Sequence, residues 1–142
     1  MAISSILRGK GHEVVSLTPD STVADVVETL VQRRIGALLV IELDEPVGIV
    51  SERDIVRCLG AHGVTALQMR VRDVMTAPLI TISPDDSIPS AMELMTDRRI
   101  RHLPVLDSGR LVGLVSIGDL VKRRIEEAEQ EALALKDYIA TA

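Results

Sequence analysis

Val47-Gly48-Ile49-Val50-Ser51-Glu52-Arg53-Asp54 returns as Val112-Gly113-Leu114-Val115-Ser116-Ile117-Gly118-Asp119, 65 residues further along the chain. The same offset relates Pro19-Asp20 to Pro84-Asp85 and Arg33-Arg34-Ile35 to Arg98-Arg99-Ile100. Across Ser16 to Arg57 no insertion is needed, and many non-identical pairs exchange one aliphatic residue for another. A constant offset over so long a stretch is the mark of an internal duplication. The chain is two copies of one unit.

Each copy has one local pattern. Val14 to Leu17, and Leu79 to Ile82, are short β-type runs closed by a Pro-Asp turn. Val23, Val26, Val27, Leu30 and Val31 then fall at helical spacing behind a Thr22-x-x-Asp25 capping box. In the second copy Ile88, Ala91, Met92 and Met95 take that part, with Pro89 tolerated in the first turn. Ala37 to Ile41 and Val47 to Val50 are read as buried strands joined by a turn from Glu42 to Pro46. Their counterparts, Leu103 to Leu106 and Leu111 to Val115, flank the hairpin signal Asp107-Ser108-Gly109-Arg110. A second helix starts at Ser51 and again at Ser116. The unit is β-α-β-β-α, an α+β fold.

A unit of roughly 50–60 residues would struggle to bury enough surface alone. Two copies packed through their sheets would share a core about a pseudo-twofold axis, with equivalent residues lining two related clefts. The boundaries expected are 1–64 for the first repeat with its lead-in, 65–125 for the second, and 126–142 for a C-terminal helical extension. Leu59 to Ala77 is expected to be a connector with a helix around Leu67, Val71, Val74 and Met75.

The 142-residue chain is 46% hydrophobic and 26% charged, enough apolar material for a core. Tyr138 is the sole aromatic residue, which argues against stacking platforms for single-stranded nucleic acid. Sixteen Lys and Arg against 21 Asp and Glu give a net charge of −5, the wrong sign for a nucleic-acid binder. One cysteine, Cys58, excludes an intrachain disulfide. No apolar run is long enough for a signal peptide or a membrane span. A cytoplasmic protein without nucleic-acid or membrane partners is expected.

Two Ser-x-x-Asp tetrads, Ser51 to Asp54 and Ser116 to Asp119, sit where a strand opens into a helix. As capping boxes they satisfy free amides and complement the helix dipole. A helix N-terminus also attracts phosphate, and a carboxylate can accept both hydroxyls of a ribose. The two roles are compatible. Arg33-Arg34 and Arg98-Arg99 end helices, where cations suit the dipole. Arg101 and His102 stand where the first copy has Gly36 and Ala37, making one cleft more cationic than the other. That suits an anionic ligand or a solvated surface equally well. His12, His62, His102 and Cys58 show no metal-ligand spacing, and no nucleophile elbow or Walker loop is present. The sequence supports neither a catalytic site nor a metal site. Near the end, Val121, Ile125, Ala128, Ala132, Leu135 and Ile139 are spaced 4, 3, 4, 3 and 4 apart, a heptad seam suited to a sister helix in a homodimer.

The duplicated unit, the stretches Arg34 to Val40 and Arg99 to Val105, the two tetrad segments and the lead-in Val71-Arg72-Asp73-Val74-Met75-Thr76 together resemble the cystathionine β-synthase (CBS) domain pair, or Bateman module. The resemblance spans roughly residues 5 to 125. It implies a regulatory module, not an enzyme, whose clefts take AMP, ADP, ATP, NAD or S-adenosylmethionine and report on energy status. It implies that Asp54 and Asp119 hold ribose hydroxyls, with Ser51 and Ser116 near ribose or phosphate. Arg53, Arg101 and His102 would meet phosphates. Thr76 and the second-strand starts (Ile35, Gly36, Ala37; Ile100, Leu103, Pro104) would frame the base. Gly118 in place of Arg53 removes one cation, so the clefts should differ in affinity. Disc-shaped homodimers are also implied. With no enzyme, channel or DNA-binding domain attached, a separate and unknown downstream protein would receive the signal, or the module would buffer its ligand.

Overall fold

The computed structural model describes residues 1–141. It divides into two compact units, Glu13–Ile80 and a second made of Met1–His12 with Thr81 onward. Each is an α+β body built on the same plan, so the chain is a tandem repeat followed by a long C-terminal helix.

In the first unit, β1 (Ser16–Leu17) runs parallel to β2 (Ala37–Glu42), which pairs antiparallel with β3 (Glu45–Ser51). Between β1 and β2 lies α2 (Val23–Arg33), and α3 (Glu52–His62) follows β3. The Thr22 capping box forms as its sequence implies, with the Thr22 side chain accepting from the Asp25 amide and Asp25 accepting from the Thr22 amide. That pair of bonds, the Thr22 backbone first, holds the exposed Asp25 carboxyl below its usual range. The helix stops at Arg34, whose left-handed backbone (φ 54°) lets its amide reach back to Leu30 and Val31. Val23, Val26, Leu30, Leu38, Val40 and Val50 form the core against Ile55 and Cys58.

The second unit repeats this with α5 (Ile88–Arg98), β4 (His102–Asp107) and β5 (Arg110–Ser116). A register shift falls between Val40 and Ile41 in one hairpin and between Val105 and Leu106 in the other, the same place in the repeat. The final helix α6 (Ile117–Thr141) runs 25 residues without a break. Its N-terminal turn buries Leu120, whereas Val121, Ile125, Leu135 and Ile139 are exposed.

The structure departs from the sequence expectations in four places. Residues 1–12 do not belong with the first repeat: Ile3–Lys10 forms a helix, α1, that packs on the second unit. Residues 65–80 correspondingly stay with the first, through a 3-10 segment (Gly63–Gln68) and a short helix α4 (Val71–Val74). The Leu79 to Ile82 run makes a single parallel bridge, Ile82 to Val105, instead of a strand. The Glu42 to Pro46 turn tightens to Leu43-Asp44 with both residues at positive φ, as at Ser108-Gly109, since such turns match the twist of paired strands.

The reason for the first two departures is an exchange of lead-ins. The Val71 amide donates to Ser21 O and the Arg72 amide to Pro19 O, at 2.8 and 3.1 Å. The Ile3 amide donates to Asp86 O and the Ser4 amide to Pro84 O, both at 2.9 Å. Each lead-in helix therefore completes the repeat that it does not precede. Val71 and Ile3, both fully buried, are its anchors. Gly48 and Gly113 are glycines for the same reason: a Cβ at either would stand 2.5 Å from Met75 Sδ or Leu7 Cδ2 respectively.

Candidate functional site

Each tetrad folds as a half-buried carboxylate at a helix N-terminus, beside the outer edge of a hairpin. In the first unit the Ser51 amide donates to Asp54 Oδ2 at 2.9 Å, and the Asp54 amide donates back to Ser51 Oγ at 3.4 Å. The Ser51 hydroxyl adds a bond to Oδ2 at 3.2 Å. In the second unit the Ser116 amide donates to Asp119 Oδ2 at 2.8 Å and the Asp119 amide to Ser116 Oγ at 3.2 Å. Both tetrads are thus working caps. Their carboxylates are fixed in direction by bonds from their own turn.

The residues expected beside them fall into two groups, one per unit. In the first, Ala37 pairs with Ser51 across the hairpin and Gly36 O accepts from the Glu52 amide at 3.0 Å, so Gly36, Ala37, Ser51 and Asp54 are neighbours. Arg53 is exposed on the first turn of α3. Thr76 adds itself to the edge of β3 through two backbone bonds with Ile49, at 2.8 and 3.1 Å. Its hydroxyl donates to Asp54 Oδ1 at 3.1 Å. Asp54 also lines a concavity of about 240 Å³ with Arg57, His62 and Asp73. A larger one of about 500 Å³ between α2 and α3 is walled by Val27, Val31, Ile55 and Val56, and is apolar.

In the second unit His102 pairs with Ser116, and Arg101 O accepts from the Ile117 amide at 2.8 Å. Leu103 is fully buried, and Pro104 O accepts from the Ile82 amide at 3.0 Å. Gly118 has room for a Cβ, whose nearest neighbour would be Ser116 Oγ at 3.6 Å. Asp119 receives a partner that the repeat pattern does not announce. Lys10 Nζ, at the end of α1, lies 2.6 Å from Asp119 Oδ2 and 2.8 Å from Leu114 O. Burial raises the Asp119 carboxyl, but the Lys10 hydrogen bond, the Ser116 amide, the Lys10 charge and the Ser116 hydroxyl together outweigh it and hold the group below the ordinary carboxylate range. His12 Nδ1 sits 2.7 Å from Val112 O, the next outward carbonyl of the same edge. Among the described residues, no group of three or more His, Cys, Asp or Glu is placed to hold a metal.

A family model for the CBS domain matches this chain twice, at residues 10–61 and 71–126. The chain belongs to the CBS domain family. Each match covers one of the repeats derived above, and together they span most of the chain. The CBS pair is similar to the mitochondrial CBS domain-containing protein CBSX3 of Arabidopsis thaliana, 38% identical over 96% of this chain and 71% of that one. Its fold matches the CBS-domain containing protein ATU1752 of Agrobacterium tumefaciens with a TM-score of 0.85, at 37% identity over 87% of this chain and 99% of the other. The CBS domain protein PAE2072 of Pyrobaculum aerophilum, solved in complex with AMP, aligns with a TM-score of 0.74 and 30% identity over 84% of this chain and 89% of that one. No helix among the described residues of this CBS pair is long and apolar enough to cross a membrane.

Proposed function

We propose that this CBS pair is a regulatory module that binds an adenosine-containing nucleotide (AMP, ATP or NAD) and passes its occupancy to a separate protein. The observation that carries the reading is the pair of fixed, half-buried carboxylates at helix N-termini, Asp54 and Asp119, each oriented by its own serine amide. A carboxylate held in this way can accept a ribose diol without reorganising, and the adjacent helix N-terminus favours a phosphate. The AMP complex of the Pyrobaculum aerophilum relative supports the choice of ligand class.

On this reading Asp54 and Asp119 take ribose hydroxyls, with Ser51, Ser116 and the Gly118 turn beside them. Arg53, Arg101 and His102 face phosphate. Gly36, Ala37, Thr76, Leu103 and Pro104 frame the base. The module acts without catalysis, by binding one of two conformations more tightly than the other. The exposed Ile125, Leu135 and Ile139 on α6 support a homodimer in which that face is covered.

A thermal-shift titration with AMP, ATP, NAD and S-adenosylmethionine tests the reading, with Asp54→Ala and Asp119→Ala alongside. Ligand at about a hundred times its dissociation constant adds about 2.7 kcal/mol of stability, several degrees of midpoint. The expected outcome is a shift with at least one nucleotide that is lost in one or both variants. No shift with any of them leaves an interaction scaffold, in which the tetrads serve as helix caps alone.

A further inference from the structure

The two repeats close the same carboxylate with different chemistry. In the first unit the Thr76 amide donates to Ile49 O at 2.8 Å and its hydroxyl to Asp54 Oδ1 at 3.1 Å. The positions 65 residues later are Leu114 and Asp119, and a single group, the Lys10 ammonium, donates to both. One charged nitrogen therefore stands in for an amide N–H and a hydroxyl. The lead-in helices explain how. Ile3, Ile6 and Leu7 take the places of Val71, Val74 and Met75, so the residue in Thr76's position is Arg8. Where α4 ends at Val74 and frees the chain to join the sheet edge, α1 continues to Lys10 and returns only a side chain.

We propose that Lys10 is a built-in competitor for Asp119, which holds the second repeat's ligand carboxylate closed until it is displaced. The inference rests on the ribose-binding reading above and adds the rank of the two sites. A diol engages both oxygens of a carboxylate; Asp54 accepts from Ser51 and the Thr76 hydroxyl, and Asp119 Oδ2 from the Ser116 amide and the Lys10 ammonium, so the sites differ in the charge of the donor to be displaced. An ion pair at 2.6 Å is harder to give up than the 3.1 Å bond that the uncharged Thr76 hydroxyl donates to Asp54. The first repeat fills at lower ligand concentration. Filling the second releases the end of α1, which turns occupancy of that site into a change in the N-terminal helix.

The test follows the backbone amide NMR signals of Asp54 and Asp119 during titration with adenosine, which offers the diol without a phosphate for the freed ammonium to follow. Wild type is compared with Lys10→Met, Lys10→Gln and Asp119→Asn, the last keeping a side chain able to cap. Hydrogen exchange at Ile6 and Leu7 verifies that α1 stays folded in each. The expected result is that Lys10→Met tightens the Asp119 site by about three- to tenfold. Lys10→Gln gains less, Asp119→Asn combined with Lys10→Met shows no gain over Asp119→Asn alone, and the Asp54 site keeps its affinity in every variant. Dideoxyadenosine, which lacks the diol, should gain nothing from Lys10→Met. An Asp119 site unchanged or weakened in Lys10→Met, beside an intact Asp54 site, overturns this proposal alone. Adenosine binding at neither site in any variant overturns the nucleotide reading and this proposal with it.

Discussion

The unit at residues 13–80 and the unit formed by 1–12 with 81–141 share one plan but finish their sheet edges with different materials. The first pairs its outer strand with backbone, through Thr76. The second caps the equivalent carbonyl, Leu114 O, with the Lys10 side chain and places His12 near Val112 O. The Thr76 bridge is backbone pairing and brings no charge. The Lys10 side chain satisfies the equivalent acceptor but brings a cation to the tetrad. Duplication preserved the acceptors and left the donors free to diverge, so two similar carboxylates have come to stand in different electrostatic surroundings.

The comparison can be broken most forcefully at the anchors. Ile3→Ala should destabilise the protein by about 3 kcal/mol and Val71→Ala by about 2, since each empties a fully buried site in the core. Urea unfolding reads both. An Ile3→Ala cost near that of a surface substitution would show that α1 is not part of the second unit's core.

The glycines sharpen the same contrast. Gly113→Ala drives its new methyl into the branched Leu7 and should cost about 2 kcal/mol. Gly48→Ala meets the flexible thioether of Met75 and should cost about 1 kcal/mol. Thermal midpoints in the opposite order would mean that the two lead-ins are seated differently from the structure.

Acid should separate the two repeats more gently. The Asp119 carboxyl is held below its unfolded value by Lys10 and Ser116, so its stabilising contribution is fully present above the unfolded value near 4 and is lost as pH falls through the lower folded value. Lys10 is 40% exposed and Asp119 25%, so the pair contributes about 0.5–1 kcal/mol after solvent screening. The stability difference between wild type and Lys10→Met should therefore be flat above about pH 5 and shrink below about pH 4. A difference that grows on acidification would remove Asp119 as the partner.

The smallest effect is expected at the first hairpin. Leu43-Asp44 holds two side-chain-bearing residues at positive φ where the second hairpin has Ser108-Gly109. Asp44→Gly should stabilise by about 0.5 kcal/mol, the relief of left-handed strain less the entropy glycine adds to the unfolded chain. A loss of stability in denaturant melts would assign Asp44 a role beyond the turn.

Much of this architecture was legible because the duplication prints local signals twice. The capping residues Thr22, Ser51 and Ser116, the paired hairpins and the helix ends at Arg34 and Arg99 all follow from short-range chemistry. The tetrads were legible for the same reason. Lys10 was not. Its partner is 109 residues away, and the lead-ins are related by a shift of 68 residues, so the offset of 65 hides their equivalence. The available signal was the spacing Ile3, Ile6 and Leu7, which repeats Val71, Val74 and Met75. The strand expected at Leu79 to Ile82 shrank to a bridge, because β-propensity in a short run yields to the path of the neighbouring chain.

The exchanged lead-ins also set an order of events at the ribosome. Residues 13–80 are contiguous, so the first unit has all its parts as soon as residue 80 has been made. Helix α1, eight residues long, emerges before the rest of its own unit and has no stable existence alone. Its receptor surface, β5 with α6 and the turn at Pro84 and Asp86, is not complete until α6 has begun. At ordinary rates of synthesis that leaves the segment unpartnered for roughly 5–20 s. During that interval its apolar face, Ile3, Ile6 and Leu7, is available to chaperones or to another nascent chain until the rest of its unit can take it up.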